Sequence, residues 1–327
     1  MEGSLNHFTF AKFKFFLTPI DSIYLPFYKG STFRGGFGHT FKKIVCVKRE
    51  KICETCLLKG KCVYSYVFET PPPPDTSKMR KYPFAPHPFV IAPPLEKKRI
   101  YRENDILSFE LTLIGKSIDF LPYFIYTFDE LGKTGLGRGK GKYQLEEVRA
   151  IIIGERLKVK GEREETIYSK KDKILHSSYK AVGIKDLLPF NLSPITLNLL
   201  FLTPTRLKFD GRLTPMLEFH ILFRNLLRRI SLLSYFHCGL ELDLDFKALI
   251  EKAKGVKVKK ENLSWVDWER YSNRQETKMK MGGFVGSITF EGDVQPFLPF
   301  ILLGEYVHVG KGTSFGLGKY EIVRPEN

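Results

Sequence analysis

Near its start the chain alternates phenylalanines with lysines: Phe8, Phe10, Phe13 and Phe15 against Lys12 and Lys14. Successive side chains of a strand point to opposite faces, so this spacing predicts a strand over residues 8–18, closed by Pro19. The next periodicity is helical. Phe33, Phe37, Phe41 and Ile44 recur at three- and four-residue intervals, predicting a helix from an N-cap at Ser31 or Thr32 to about Val45. Gly35, Gly38, His39, Lys42 and Lys43 fall on its opposite side. Further strands are predicted at Ile106–Ile114, Tyr143–Ile153 and Leu197–Leu202, with a short helix over Phe120–Glu130. Thr214 followed by Pro215 starts a longer helix that runs to about Phe236, with Gly239 as its terminator. His220, Arg224 and Arg228 recur every four residues along it as a polar stripe. The prolines between 71 and 93 predict an extended segment, and Lys252–Lys260 a solvated turn region. A strand pair and a glycine-rich loop close the chain.

That closing loop lies in Leu303–Val323, LGEYVHVGKGTSFGLGKYEIV. Its five glycines surround Lys311 and Lys319, with Phe315 and Tyr320 between them. Glycine serves where backbone needs positive φ or close approach. Exposed amides with lysines suit a phosphate backbone, and the aromatics suit base stacking. Neither a Walker loop nor a dinucleotide fingerprint can be drawn through it. The stretch also has a partner upstream. FLPY at Phe120 is followed by GLGRGKGKYQLEEV, and FLPF at Phe297 by GLGKYEIV; both the phenylalanines and Tyr143/Tyr320 stand 177 positions apart. FLTP at Phe16 recurs at Phe201. Three matched blocks in one order indicate an internal duplication of domain size, longer than a solenoid period. Domains over 1–165 and 190–327 follow.

Composition narrows the partner. With 52 Lys and Arg against 36 acidic residues, the 327-residue chain carries a formal charge of +16. This favours a polyanion, nucleic acid ahead of membrane, because no basic amphipathic anchor stands out. No signal or spanning segment is read at the N-terminus, so a cytoplasmic location is expected. Cys46, Cys53, Cys56 and Cys62 are spaced C-x6-C-x2-C-x5-C. In a reducing compartment such a group predicts four thiolate ligands of one structural zinc, closed to substrate, rather than disulfides. Arg270, Tyr271, Arg274, Gln275 and Lys280 lie in WVDWERYSNRQETKMKMGGFVG and offer phosphate and base contacts.

The loop GKGTSFGLGKY, ERYSNRQ before GGFVG, and FRGGFGHTFKKIVC followed by CETC and CVYSYVFE together resemble the CRISPR-associated precursor-RNA-processing endoribonucleases of the RAMP superfamily, in the zinc-cysteine-containing subgroup. The resemblance covers nearly the whole chain. It implies an α+β protein of tandem ferredoxin-like (RRM-like) domains, with the four-cysteine zinc insertion in the first. It also implies cutting of CRISPR repeat RNA without a catalytic metal. The implied partners are that RNA and the subunits of a CRISPR effector complex, with no membrane, the protein being a monomer or homodimer. Some members of the superfamily bind RNA without cleaving it, and that reading stands beside the nuclease.

Metal-free cleavage requires a base for the 2′-hydroxyl, an acid for the leaving 5′-oxygen and positive charge near the phosphorane. The products are a 2′,3′-cyclic phosphate and a 5′-hydroxyl. Histidine suits either proton role. His39 is the leading candidate, with Lys42 nearby on its helix and Tyr28 as a second proton-transfer group. His308 and His220 compete with it. RNA contacts are expected from Lys43, His220, Arg224, Arg228, Arg270, Arg274, Gln275, His308, Lys311 and Lys319. No cluster of carboxylates or HD-type pair supports a metal-dependent route.

Overall fold

The alternation at the N-terminus becomes strand β1, Thr9–Pro19, whose Phe13, Phe15 and Leu17 are fully buried. The structure is a computed structural model that describes residues 5–48, 52–153, 163–187, 196–272 and 277–323. The chain divides into two compact units. One comprises Phe8–Val182 with Leu232–Leu240, the other Met1–His7, Gly183–Ser231 and Glu241–Asn327.

In the first unit β1 is followed by β2 (Ile23–Tyr24), α1 (Gly30–Val45), β3 (Phe89–Ala92), β4 (Ile100–Tyr101), β5 (Leu107–Ile114), α2 (Leu121–Thr134), β6 (Tyr143–Ile152) and β7 (Arg163–Ser169). The main path of its sheet is β3-β5-β1-β6-β7, antiparallel throughout. In register Phe15 stands opposite Phe109, and their rings stack at 4.9 Å. Helices α1 and α2 supply the other half of the core, where Phe37 stacks on Phe41, Phe124 and Phe128 at 5.1, 4.7 and 5.4 Å. Aromatic pairs of this kind add to the stabilisation from buried area alone. On the other sheet face Lys12 pairs with Glu110 and Lys14 with Glu164, each at 2.8 Å. Arg149, itself held by Glu147 and Glu164, lies over the Phe16 ring at 4.5 Å. The basic residues of β1 are thus neutralised inside the fold.

The second unit contains β8 (Thr196–Thr205), α3 (Phe219–Leu233), α4 (Phe246–Ala253), β9 (Lys257–Val266), β10 (Gly283–Glu291), α5 (Leu298–Val307) and β11 (Tyr320–Ile322). Its antiparallel sheet has the order β9-β10-β8-β11. Short ladders join Lys208–Phe209 to Arg212–Leu213, and Glu269–Ser272 to Thr277–Lys280.

Several expectations change. The N-cap of α1 is Lys29, not Ser31 or Thr32: the Thr32 and Phe33 amides both donate to the Lys29 carbonyl. Thr214 does not open α3. Its Oγ1 accepts from the Met216 amide at 3.2 Å, a side-chain turn that competes with helix, so α3 begins at Phe219. It then passes through a wider turn, Ser234–Cys238, and ends at Gly239 as expected, with φ 73°. Lys252–Lys260 is not a turn region but the end of α4, a short turn and the first part of β9. Two closing strands are present, β10 and β11, but α5 stands between them, buried except at Glu305. A helix apolar on almost every side has no amphipathic period to read.

The three repeated blocks occupy matching places. FLTP lies in the first strand of each sheet. The prolines of FLPY and FLPF sit in the opening turns of α2 and α5. Tyr143 and Tyr320 open the strand that follows each loop, and their hydroxyls donate to the Phe128 and Ile301 carbonyls at 2.8 and 2.6 Å. Burial pushes both phenols well above their usual range. Among the described residues no helix is long and apolar enough to cross a membrane.

Candidate nucleic-acid interface

The closing loop has the backbone its glycines imply: Gly310, Gly312, Gly316 and Gly318 have φ of 84°, 79°, 83° and 72°. Gly318 is the tightest, since a Cβ there would stand 1.8 Å from the Val309 carbonyl oxygen. Many of its amides, however, are already used inside the fold. Val309 donates to Gly318, Lys311 to Arg206, Phe315 and Leu317 to Gly312, Gly316 to Thr313, and Gly318 to Pro204. Thr203 Oγ1 donates to the Gly316 carbonyl and accepts from the Lys319 amide, each at 2.9 Å. The loop is tied to β8 and to itself, and its side chains supply the charge for an anion.

Those side chains form a cationic group that periodicity did not show. Exposed Lys311 lies beside Lys208 and Arg206; burial lowers its ammonium pKa first, and the two neighbouring cations lower it further. Burial also lowers the Arg206 pKa. Its Nε is buried without a partner, and one terminal nitrogen reaches only the Met281 sulfur, at 3.3 Å. Like charges gathered without a carboxylate are costly in the free protein, and an arriving phosphate relieves that cost. A cation pair just after the first strand of the unit, Arg206 and Lys208, was the available sequence signal.

Two expected contacts move. His308 is not an exposed RNA contact: it is 3% exposed, and its Nδ1 lies 3.1 Å from the Leu317 carbonyl. It holds the loop's return, in a left-handed conformation with φ 60°. Buried Arg229 braces the same corner, its Nε donating to the Val307 and His308 carbonyls at 2.8 and 3.1 Å. Burial pushes its pKa down to about 9. Lys319 is half-buried, with its backbone tied to β8.

The stripe on α3 is present. Arg224 and Arg228 are exposed on one face, while Leu222, Phe223, Leu226, Leu227 and Ile230 are buried. His220 at its head is half-buried, edge-on to Phe209 at 5.6 Å, with Nδ1 3.3 Å from a Glu218 oxygen. Arg270 lies on the Glu269–Ser272 strand. Arg274 and Gln275 fall outside the described residues.

In the first unit His39 is exposed on α1, nine residues from Gly30 and so roughly 13 Å along the helix axis. Lys43, one turn on, is exposed too. Gly35 has open space around it, but Gly38 does not: a Cβ there would stand 2.1 Å from the buried Phe68 ring. Only one of the two glycines leaves room for a ligand. Lys42 is half-buried and turned to the fold, its ammonium 5.2 Å from the Tyr64 ring centroid and close enough to the Cys53 thiol to lower its pKa. Tyr28, at the other end of the helix, has its phenol pKa pushed well up by burial, so it can donate a proton in a hydrogen bond but is a poor base.

All four clustered cysteines are half-buried, and the Cys46 thiol donates to the Lys48 carbonyl at 3.7 Å. Burial raises the Cys53 thiol pKa, against the lowering effect of Lys42. Among the described residues no three His, Cys, Asp or Glu side chains are gathered as a metal-ligand set, so the thiols as placed do not form a tetrahedral site.

Known proteins resemble both units. The family model described as AF_1859_N, N-terminal domain, matches residues 8–179, more than half of the chain, and the model of the CRISPR-associated endoribonuclease Cas6 matches residues 199–320. An uncharacterized protein of Archaeoglobus fulgidus is 30% identical over 132 residues, 40% of this chain. The match spans only 43% of that curated relative's length. A solved Cas6 (TTHB231) product complex has a TM-score of 0.58 at 18% identity, over 96% of this chain and 99% of that one. A partial Cas6-RT-Cas1–Cas2 complex has a TM-score of 0.57 at 14% identity, over 97% of this chain and 46% of the other. At these identities the likeness to solved structures is one of fold. The chain therefore belongs to the AF_1859_N family, and its second half carries the domain of the CRISPR-associated endoribonuclease Cas6 family.

Proposed function

We propose that this Cas6-family endoribonuclease cleaves CRISPR precursor RNA within its repeats by metal-independent attack of the 2′-hydroxyl on the adjacent phosphate. The products carry a 2′,3′-cyclic phosphate and a 5′-hydroxyl, and the processed RNA passes to a CRISPR effector complex. The observation that carries the proposal is the position of His39, an exposed imidazole that the core does not use, on a helix that leaves Gly35 open beside it. His308 is withdrawn into the loop, and His220 is engaged by Glu218 and Phe209. His39 moves the proton at the 2′-oxygen or the 5′-oxygen, and exposed Lys43 offsets the charge gained by the phosphorane. Arg206, Lys208 and Lys311 hold the RNA backbone, with Arg224 and Arg228 as further contacts. The strand orders β6-β1-β5-β3 and β11-β8-β10-β9, with α1 and α2 connecting strands in the first unit and α3, α4 and α5 in the second, support reading both units as ferredoxin-like. The cysteine spacing alone supports a structural zinc, which requires the four thiols to close up from their present placement. About one zinc per chain should then be found by elemental analysis of protein purified without added metal.

The test is end-labelled repeat RNA incubated with the protein in excess chelator. One cut is expected, and His39→Ala should slow it by roughly 10²–10⁴-fold while leaving RNA affinity nearly intact. A His39→Ala protein that cuts at the native rate while His220→Ala does not would move the role. A native protein that binds the RNA and never cuts it would make the chain a non-catalytic RNA-binding subunit.

A further inference from the structure

The first glycine loop, Gly135–Gly141, has no part in the function described so far, yet it repeats the fixed geometry of the second. Gly310 has φ 84°, a Cβ on it would stand 2.5 Å from the Arg206 carbonyl, and the next residue, Lys311, donates its amide to that carbonyl at 3.0 Å. In the first unit Gly137 has φ 75°, a Cβ on it would stand 2.3 Å from the Tyr24 carbonyl, and the next residue, Arg138, donates its amide to that carbonyl at 2.9 Å. Arg138 thus takes the place of Lys311, and an aromatic residue, Tyr24, takes the place of Arg206.

Beside this joint lies a pocket of about 430 Å³ lined by Tyr24, Leu25, Pro26, Arg99, Ile100 and Arg138. Its volume falls in the range of small-ligand sites. Tyr24 is 48% exposed although it lies in a paired strand, opposite Ile100. Arg99 and Arg138 are both exposed, and neither is ion-paired among the described residues. The Arg99 Nε reaches only the Leu25 carbonyl, at 3.4 Å, while the Leu25 amide donates to the Arg99 carbonyl at 2.8 Å. The nearby Glu96 is occupied by Tyr101, whose hydroxyl donates to it at 2.7 Å. Lys140 adds a third exposed cation on the loop. A fixed aromatic face between two unpaired guanidiniums is the combination that holds an unpaired nucleotide, by stacking on the base and charge on the phosphate.

We propose that this pocket binds one nucleotide of single-stranded RNA, its base stacked on Tyr24 and its phosphate held by Arg99 and Arg138. The site rests on the RNA-binding reading above and adds a second point of contact, on the other copy of the loop. Paired bases keep their faces covered, so the pocket selects an unpaired segment.

The test is fluorescence anisotropy of single-stranded repeat RNA with the full chain over a range of salt. Tyr24→Ala should weaken binding by about 5- to 100-fold, the usual range for losing one base stack, and Tyr24→Phe should restore it. Arg99→Ala with Arg138→Ala should lower the salt slope by roughly 0.7, as expected when one phosphate is no longer neutralised. RNA carrying 4-thiouridine should cross-link to the peptide that contains Tyr24. Arg206→Ala with Lys311→Ala serves as the comparison. If that pair weakens binding while the Tyr24, Arg99 and Arg138 variants bind as the native chain does, the RNA reading stands and this pocket falls. If the native chain binds no repeat RNA, both fall.

Discussion

The two glycine loops use one backbone device for different loads. Each places a left-handed glycine against the backbone just beyond the first strand of its unit, and each sends a cationic residue out from that joint. Each is followed by a buried tyrosine whose hydroxyl ties the next strand to the helix before the loop. They differ in what surrounds the cation. Around Lys311 stand Lys208 and Arg206, with one guanidinium nitrogen buried and unpartnered. Around Arg138 stand Arg99, Tyr24 and an open pocket. The two loops share the backbone geometry, and the side chains on the segment beneath each loop set the chemistry. A glycine-rich stretch alone therefore says that a tight joint exists, not what it binds.

The comparison breaks first at the glycines. Gly318 and Gly139 both have positive φ, 72° and 82°, but a Cβ on Gly318 meets the Val309 carbonyl while one on Gly139 meets nothing within 4 Å. Gly139→Ala should cost only the backbone penalty, about 1–2 kcal/mol, whereas Gly318→Ala should cost about 4 kcal/mol or more. Urea unfolding of both variants measures the difference. Equal costs would mean that the Val309 carbonyl gives way to the added methyl.

A smaller effect tests the shared tie. Tyr143→Phe and Tyr320→Phe should each cost about 0.5–1.5 kcal/mol, the net worth of the one hydrogen bond that each hydroxyl adds to a helix carbonyl. Both phenols have folded pKa values raised above the unfolded value, so their contribution is complete below the ordinary phenol pKa near 10 and is lost as pH rises through the raised values. Stability should therefore fall above about pH 10, and the slope should lessen in each variant. If one substitution is neutral, the two tyrosines are not equivalent.

The mildest change concerns charge. Lys208→Ala with Lys311→Ala should flatten the salt dependence of RNA binding by roughly 1.4 in slope, about 0.7 for each phosphate left without its lysine. Lys12→Ala, which removes a partner of Glu110 on the sheet, should leave that slope unchanged. An equal change in both would spread the RNA interaction over net charge instead of the cluster.

The duplication was legible because its blocks sit where local rules are strict. Prolines at 122 and 299 open helices, and Tyr143 and Tyr320 start strands. The amphipathic helices α1 and α3 were legible from their spacing, and so was the exposure of His39, Arg224 and Arg228. Strand β3 was missed because Phe89–Ala92 is buried at every position and stands between prolines, so it shows no alternation. Gly38 and Lys42 share the polar side of α1 in sequence, but Phe68 and Tyr64, far along the chain, turn out to cover them. His308 reads as exposed in sequence because it adjoins glycines; packing against Leu317 nine residues later decided its burial.

The sequence by itself determined the repeated strand-and-helix plan, the positive φ of the loops and the excess of positive charge, since these follow from residue type and spacing within a few turns of chain. Only the tertiary structure decided which charges stay available. Lys12 and Lys14 lose their freedom to carboxylates on neighbouring strands, whereas Arg206, Lys208 and Lys311 gather with none among the described residues. Coulombic pairing and desolvation depend on distances between residues far apart in the chain, and those distances exist only once the sheet has closed.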